Sequence, residues 1–227
     1  MKLSIVATPI GNLEDITLRA IRTLREADLI LAEDTRMAAK LLAHFDIKNK
    51  TVWRYDEHSH EKMLPKIIEA LDSGKHIALT ADAGTPGISD PGGRLVAALV
   101  HNFDDRLNCE SIPGPSALTA AISISGFSMG EFVFLGFPPH KKGRETFFKK
   151  LASEKRAIVL YESPYRLIKA LEQLRKYADA KRKIMVAREL TKKFESIYRG
   201  NIVDILDKIP KDEVRGEFVI VISAAAE

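Results

Sequence analysis

Along the first half of the chain, short apolar runs alternate with longer stretches in which apolar positions recur every three or four residues. LSIVA (3–7), DLILAE (28–33), TVWRY (51–55), HIALTA (76–81) and LNCESI (107–112) have the length and composition of strands. The first, second and fourth are nearly apolar throughout, as expected of strands covered on both faces. Between them, LRAIRTLREA, TRMAAKLLAHF, HEKMLPKIIEALDSG and GGRLVAALVHN carry the helical period. Pro65 interrupts the third of these and predicts a helix that starts at or near that residue, and Gly74 ends it. Strand and helix in this alternation predict an open, mainly parallel sheet.

Beyond PGPSA (113–117) the pattern changes. A helical stretch, LTAAISISG (118–126), leads into the strand-like EFVFLGF (131–137), KRAIVLYES (155–163) and KIMVAREL (183–190), with the helical PYRLIKALEQLRKYA between the last two. FESIYRG, NIVDILDKI and GEFVIVIS complete the chain as strand, helix and strand. Strands that follow one another without a helix predict antiparallel pairing. The expected fold class is therefore α/β in two domains: residues 1–113 on a mainly parallel sheet and residues 114–227 on a mixed one.

Open α/β sheets take ligands beyond the carboxyl ends of their strands. TPIGNLEDIT, EDTR, DAGTPGISDPGG and PGPSA follow strands one, two, four and five, so the four loops are expected to line a single cleft. DAGTPGISDPGG (82–93) packs four glycines, two prolines and two aspartates into twelve residues. Glycine lets backbone approach a ligand without interference from Cβ, and proline holds a loop in shape beforehand. In the second half, Tyr161 and Glu162, Arg188 and Glu189, and Arg215 and Glu217 border apolar strands with polar or charged groups in the same way.

Composition narrows the function. The chain has 227 residues, 45% of them hydrophobic, enough for one large or two modest cores. No run approaches the ~18 apolar residues of a spanning helix, and MKLSIVATPIG lacks the apolar core of a secretory signal, so a cytoplasmic protein without membrane contact is expected. Cys109, the single cysteine, excludes a disulfide framework and is expected to be a small buried side chain. A net charge of +4 and a pI near 9.0 lean mildly toward polyanionic partners, with local clusters at HKKGRETFFKK (140–150) and AKRK (180–183).

Several chemistries fall away. ATPIGN has only Gly11 where a dinucleotide fold needs GxGxxG, and GxxxxGK[ST] is absent. GFSMG (126–130) matches GxSxG around Ser128, but it follows a helix and precedes a strand, the reverse of a nucleophile elbow. His58 and His60 in DEHSHEK lack metal-ligand spacing and read as a solvated loop. Asp90 reads as a turn and helix cap, whereas Asp82 suits either a turn or a catalytic carboxylate. Capping explains Asp34 or Thr35 in AEDTR, but not Glu33, Asp34 and Arg36 together.

VATPIGNLEDITLRA, AEDTR, LTADAGTPGISDPG, PGPSALTAAISISGF, FLGFPP, YESPYR, VARELTKKFE and RGEFVIVI stand in this order along essentially the whole chain. The set resembles the tetrapyrrole methylase superfamily, in the branch that modifies ribosomal RNA of the small subunit. The resemblance implies an S-adenosylmethionine-dependent methyltransferase of class III, a homodimer, with the cofactor held in a cleft between two α/β domains. It implies methylation of the ribose 2′-oxygen of a cytidine in 16S rRNA. Members of the branch often continue into a further C-terminal segment, and RNA contacts made there are not expected of ISAAAE. A tetrapyrrole C-methylase of the same fold and a non-catalytic module that binds cofactor or RNA are the alternatives.

Carried onto this chain, the resemblance places cofactor contacts at Pro9, at Asp82, Ala83, Gly84, Thr85 and Ile88, and at Ser116 and Ala117. From the second half it adds Leu160, Tyr161, Ala187, Gly216 and Glu217. Methyl transfer from a sulfonium needs positioning and no metal, while a ribose hydroxyl benefits from a general base. Asp34, Glu33 and Glu189 are the candidate bases, with Lys192 or Arg36 holding a phosphate or developing oxyanion. Lys141, Lys142, Arg144, Lys149 and Lys150, with Phe147, are the expected RNA entry surface; alternatively Phe147 and Phe148 form the buried side of an amphipathic helix.

Overall fold

A computed structural model describes residues 1–210 and 214–225. The chain divides into two compact units, Met1–Ser116 and Ala117–Glu227. In the first, β1 (Lys2–Val6), β2 (Leu29–Ala32), β3 (Thr51–Arg54), β4 (His76–Thr80) and β5 (Asn108–Ile112) form one sheet in the order β3-β2-β4-β1-β5. Every pairing in it is parallel, because each strand is followed by a crossover that returns the chain to the same end.

Alternation along the strands explains the two layers of helices. Leu3, Leu29, Leu31, Ile77 and Leu79 face a cluster with Ile67 and Leu71 of α3 (His60–Asp72) and Leu95 and Leu99 of α4 (Gly92–Phe103). Val6, Ile30 and Ala78, one position out of phase, face Ala20 and Leu24 of α1 (Leu18–Glu26) and Leu42 of α2 (Thr35–His44). A strand buried on both faces has no polar side to show, hence the continuous apolar runs.

Three local expectations need correction. Helix α3 does not wait for Pro65 but begins at His60, with the proline inside it. The start is set earlier by a closed turn, in which the Asp56 amide donates to Ser59 Oγ and the Ser59 amide donates to Asp56 Oδ1, both at 2.8 Å. His60 itself is buried beside Tyr55, with 2.6 Å between Nδ1 and the phenol oxygen, so it is a core residue and not part of a solvated loop. Cys109 is exposed, because β5 is an edge strand whose residues are largely uncovered.

In the second unit, α5 (Ala117–Ser125) precedes β6 (Phe132–Phe134), α6 (Arg144–Ser153), β7 (Ala157–Glu162), α7 (Pro164–Tyr177), β8 (Ile184–Arg188), β9 (Ser196–Gly200), α8 (Ile202–Lys208) and β10 (Phe218–Ile222). The sheet order is β6-β7-β10-β8-β9, with β10 antiparallel to both neighbours and β6 parallel to β7. Helices α6, α7 and α8 bury Phe148, Leu151, Leu167, Leu171 and Ile205 against Ile158, Leu160, Val186 and Ile220. This is the mixed sheet expected from strands that follow one another directly.

Candidate active site

The loops after β1, β4 and β5 are joined at the carboxyl edge of the first sheet. Thr8 and Gly84 exchange backbone hydrogen bonds of 2.9 and 3.0 Å, Thr8 being almost wholly buried. Thr85 Oγ1 donates to the Pro115 carbonyl at 3.0 Å, and the Ala7 amide donates to Ile112 O at 3.1 Å. Pro9, Gly84, Thr85 and Ser116 therefore belong to one hydrogen-bonded rim, with Asp82, Ala83 and Ile88 on the same loop as Gly84. Ala117 begins α5 and so opens the second unit.

Gly84 is the residue on which this junction turns. Its φ is +80°, and a Cβ there would lie 3.3 Å from Ile10 Cγ2 and 3.6 Å from Pro115 O. Only glycine accepts that conformation cheaply and lets three loops meet. Farther along, Asp90 accepts hydrogen bonds from the amides of Gly87 at 2.8 Å and Gly92 at 2.7 Å, so its carboxylate folds the loop onto the start of α4. Asp82 also has a structural bond: its Oδ1 accepts from the Asp34 amide at 2.8 Å and ties the β4 loop to the β2 loop.

Glu33, Asp34 and Arg36 stand at that same edge, after β2, in three different electrostatic states. Asp34 caps α2 by accepting from the Arg36 amide at 2.8 Å and also receives its guanidinium at 2.6 Å. The side-chain bond from Arg36, then its amide, holds the Asp34 carboxyl well below the usual carboxylate range. Glu33 goes the other way: burial, followed by the negative fields of Asp82, Asp90 and Asp56, raises its carboxyl above that range. Of the two, Glu33 has the greater affinity for a proton.

The second sheet assembles its own edge by returning β10 between β7 and β8. Phe218 pairs with Glu162 on one side and Arg188 on the other, so the start of β10 meets the ends of two strands. Tyr161, Gly216 and Glu217 are thereby brought to one rim, whereas Leu160 and Ala187 lie wholly buried within β7 and β8, Leu160 in the core. Glu189 crosses it: the Glu189 amide donates to Glu217 O at 2.9 Å, and Glu189 Oε1 accepts from the Glu217 amide at 2.8 Å and from Lys192 Nζ at 2.9 Å. Burial alone would raise the Glu189 carboxyl, but Lys192 and the Glu217 amide outweigh it and hold it low. Burial likewise opposes the Lys192 charge, yet its bonds to Glu189 and Glu217 raise its proton affinity above the ordinary lysine range. Glu189, Lys192 and Glu217 form a bridge that braces Gly216, whose φ is +94° and whose place any Cβ would contest with Glu189.

The basic segment at 140–150 divides. Lys141, Lys142, Lys149 and Lys150 are exposed. Arg144 is not an RNA-facing cation: it is 4% exposed, bonded to Gln173 at 2.8 Å, to Pro139 O at 3.1 Å and to the buried Glu162 at 3.2 Å. Its charge serves the interior because Glu162 needs compensation there. Phe148 is fully buried and Phe147 packs against the same core, the amphipathic alternative, while Lys149 pairs with Glu145 at 2.9 Å. Sequence reasoning missed Thr8, whose buried bridge organises the rim, and the exposed Phe137, Tyr165 and Phe194. Tyr165 was visible within YESPYR, but local pattern gives no measure of exposure.

The sequence matches the Tetrapyrrole (Corrin/Porphyrin) Methylases over residues 2–206. It is 43% identical over 222 residues to ribosomal RNA small subunit methyltransferase I of Thermotoga maritima, covering 98% of each chain. To the protein of the same name from Synechocystis sp. it is 43% identical over 224 residues, covering 98% of this chain and 79% of that one. In fold it resembles uroporphyrin-III C-methyltransferase from Thermus thermophilus, solved in complex with S-adenosylhomocysteine, with a TM-score of 0.67 at 18% identity over 98% of this chain and 97% of that one. With its loops joined on glycine at one sheet edge and this likeness from end to end, the chain belongs to the tetrapyrrole methylase family and groups within it with the proteins named ribosomal RNA small subunit methyltransferase I.

Proposed function

We propose that the chain transfers a methyl group from S-adenosylmethionine to the ribose 2′-oxygen of a cytidine in 16S rRNA of the small ribosomal subunit. The observation that carries the reading is the full-length likeness to relatives named for methylating small-subunit rRNA. The residues fit the cofactor in kind: Gly84 and Gly216 sit in left-handed turns whose Cβ positions are taken by Ile10 and by Glu189, so packing fixes the main chain of both loops before any ligand arrives. By the family resemblance, Pro9, Asp82, Ala83, Thr85, Ile88, Ser116 and Ala117 would hold it, as would Leu160, Tyr161, Ala187 and Glu217.

Bound S-adenosylmethionine supplies a methyl group activated on a sulfonium centre. Glu33 is assigned the proton of the attacking hydroxyl, since it combines partial burial with a raised proton affinity. Arg36, whose side chain is 85% exposed while still anchored to Asp34, is placed to hold a phosphate. Asp34 positions Arg36, and Glu189 with Lys192 braces the Gly216 turn. The acting species is read as a homodimer, checked by sedimentation.

Labelled S-adenosylmethionine incubated with small subunits lacking the modification, and separately with deproteinised 16S rRNA, tests the reading. Label on a cytidine ribose is expected. Label on a base, on protein, or on neither substrate overturns it.

A further inference from the structure

Phe137, Tyr165 and Phe194 are 50%, 97% and 65% exposed. All three stand where the chain leaves one edge of the second sheet, Phe137 and Phe194 on loops and Tyr165 on a helix. Phe137 follows the stretch in which the Leu135 amide donates to Val159 O and the Tyr161 amide to Gly136 O, both at 3.0 Å, so the chain leaves beside β7. Tyr165 is the second residue of α7, directly beyond β7, and Phe194 lies in the turn between β8 and β9. Single exposed aromatics are ordinary; three at one edge are not accounted for by the core.

Charge at this edge favours a polyanion. Glu189 and Glu217 are both taken by Lys192, Glu195 beside Phe194 accepts from the Thr191 amide at 2.6 Å, and Lys141, Lys142 and Lys193 have no ion-pair partner among the described residues. The Lys193 ammonium lies 5.7 Å from the centroid of the Phe194 ring, so a cation accompanies one aromatic face. From β6 to β8 there are three strand intervals, about 14 Å. That is a span for about two or three unpaired nucleotides, the number other sheet-borne aromatic platforms accept. Duplex RNA keeps its bases stacked inside and has no use for such rings.

We propose that this edge is a stacking platform for unpaired nucleotides of the RNA substrate, with Tyr165 and Phe194 against base faces and Lys141, Lys142 and Lys193 at neighbouring phosphates. It rests on the reading of the chain as an RNA methyltransferase and moves the RNA contact away from the Phe147 helix, whose aromatics belong to the core.

The test uses a single-stranded oligoribonucleotide carrying 2-aminopurine beside a cytidine, and the same strand in a duplex. The wild type is expected to bind the single strand preferentially and to change its fluorescence. Tyr165→Ala and Phe194→Ala should each weaken binding about 5- to 100-fold, and Tyr165→Phe should restore it. With small subunits as substrate, the KM for RNA should rise while affinity for S-adenosylmethionine, measured by calorimetry, stays. Wild-type affinity and fluorescence in the double variant overturn the platform, as does conversion of a dimer to monomers by Tyr165→Ala, which would assign the aromatics to a second copy. Methyl transfer that is present and indifferent to both substitutions sinks the platform alone. RNA stacking without any methyl transfer sinks the enzymatic reading and leaves the platform standing.

Discussion

At Gly216 the absence of a side chain is a structural requirement. A Cβ there would lie 2.5 Å from Glu189 Oε1 on a backbone already at φ +94°. Gly216→Ala is expected to cost about 2 kcal/mol or more, from left-handed strain plus the collision. In a Glu189→Ala background the penalty should fall toward the strain alone, about 1 kcal/mol, and urea unfolding of the four proteins measures the difference. Glu33 makes the opposite trade. Its proton affinity is raised in the folded chain, so the native state keeps a proton that the unfolded state has lost, and stability falls as pH climbs from the ordinary glutamate range to the raised value. Glu33→Gln should therefore raise the melting temperature at neutral pH while slowing single-turnover methyl transfer by about 10²- to 10⁴-fold. The wild-type rate should drop as pH falls through that raised value, because the base must be ionised. Unchanged transfer in Glu33→Gln would remove the residue from the chemistry.

Helix α6 shows how one element can be read two ways. Its letters are basic, but Arg144, Phe148 and Leu151 recur at helical spacing and all three are buried. The period was the reliable signal and the charge the misleading one, since an arginine can face inward when a carboxylate such as Glu162 waits there. Arg144→Met should cost about 3 kcal/mol in denaturant unfolding, because Glu162 would lose one of its two arginines and keep Arg166 and the Ser163 amide. A loss below about 1 kcal/mol would mean that the pair contributes little beyond its packing. Helix α3 carries the complementary lesson: Pro65 is a strong local stop, yet the Asp56–Ser59 turn and the burial of His60 begin the helix ahead of it.

For the molecule as a whole, the net charge of +4 is too small to localise a polyanion, and the placement of individual cations matters more. Lys141→Gln with Lys142→Gln should weaken binding of single-stranded RNA and flatten the logarithmic salt dependence by about 1.4 if both lysines contact phosphates. An unaltered slope would return them to solvent. Cofactor affinity measured alongside should not move, since the two lysines precede α6 and lie outside the glycine-bearing rims.

The order of strands and helices in the first unit, and the loops that would carry function, were legible along the chain. Apolar period and glycine-proline punctuation are local quantities, written within a few neighbouring residues. What needed the folded molecule was every relation between distant segments: the Thr8–Gly84 bridge, the return of β10 that sets Phe218 between Glu162 and Arg188, and the division of one basic stretch into buried and exposed charges. These follow from long-range strand pairing and from the cost of leaving Glu162 uncompensated in the interior, neither of which any short window of residues contains.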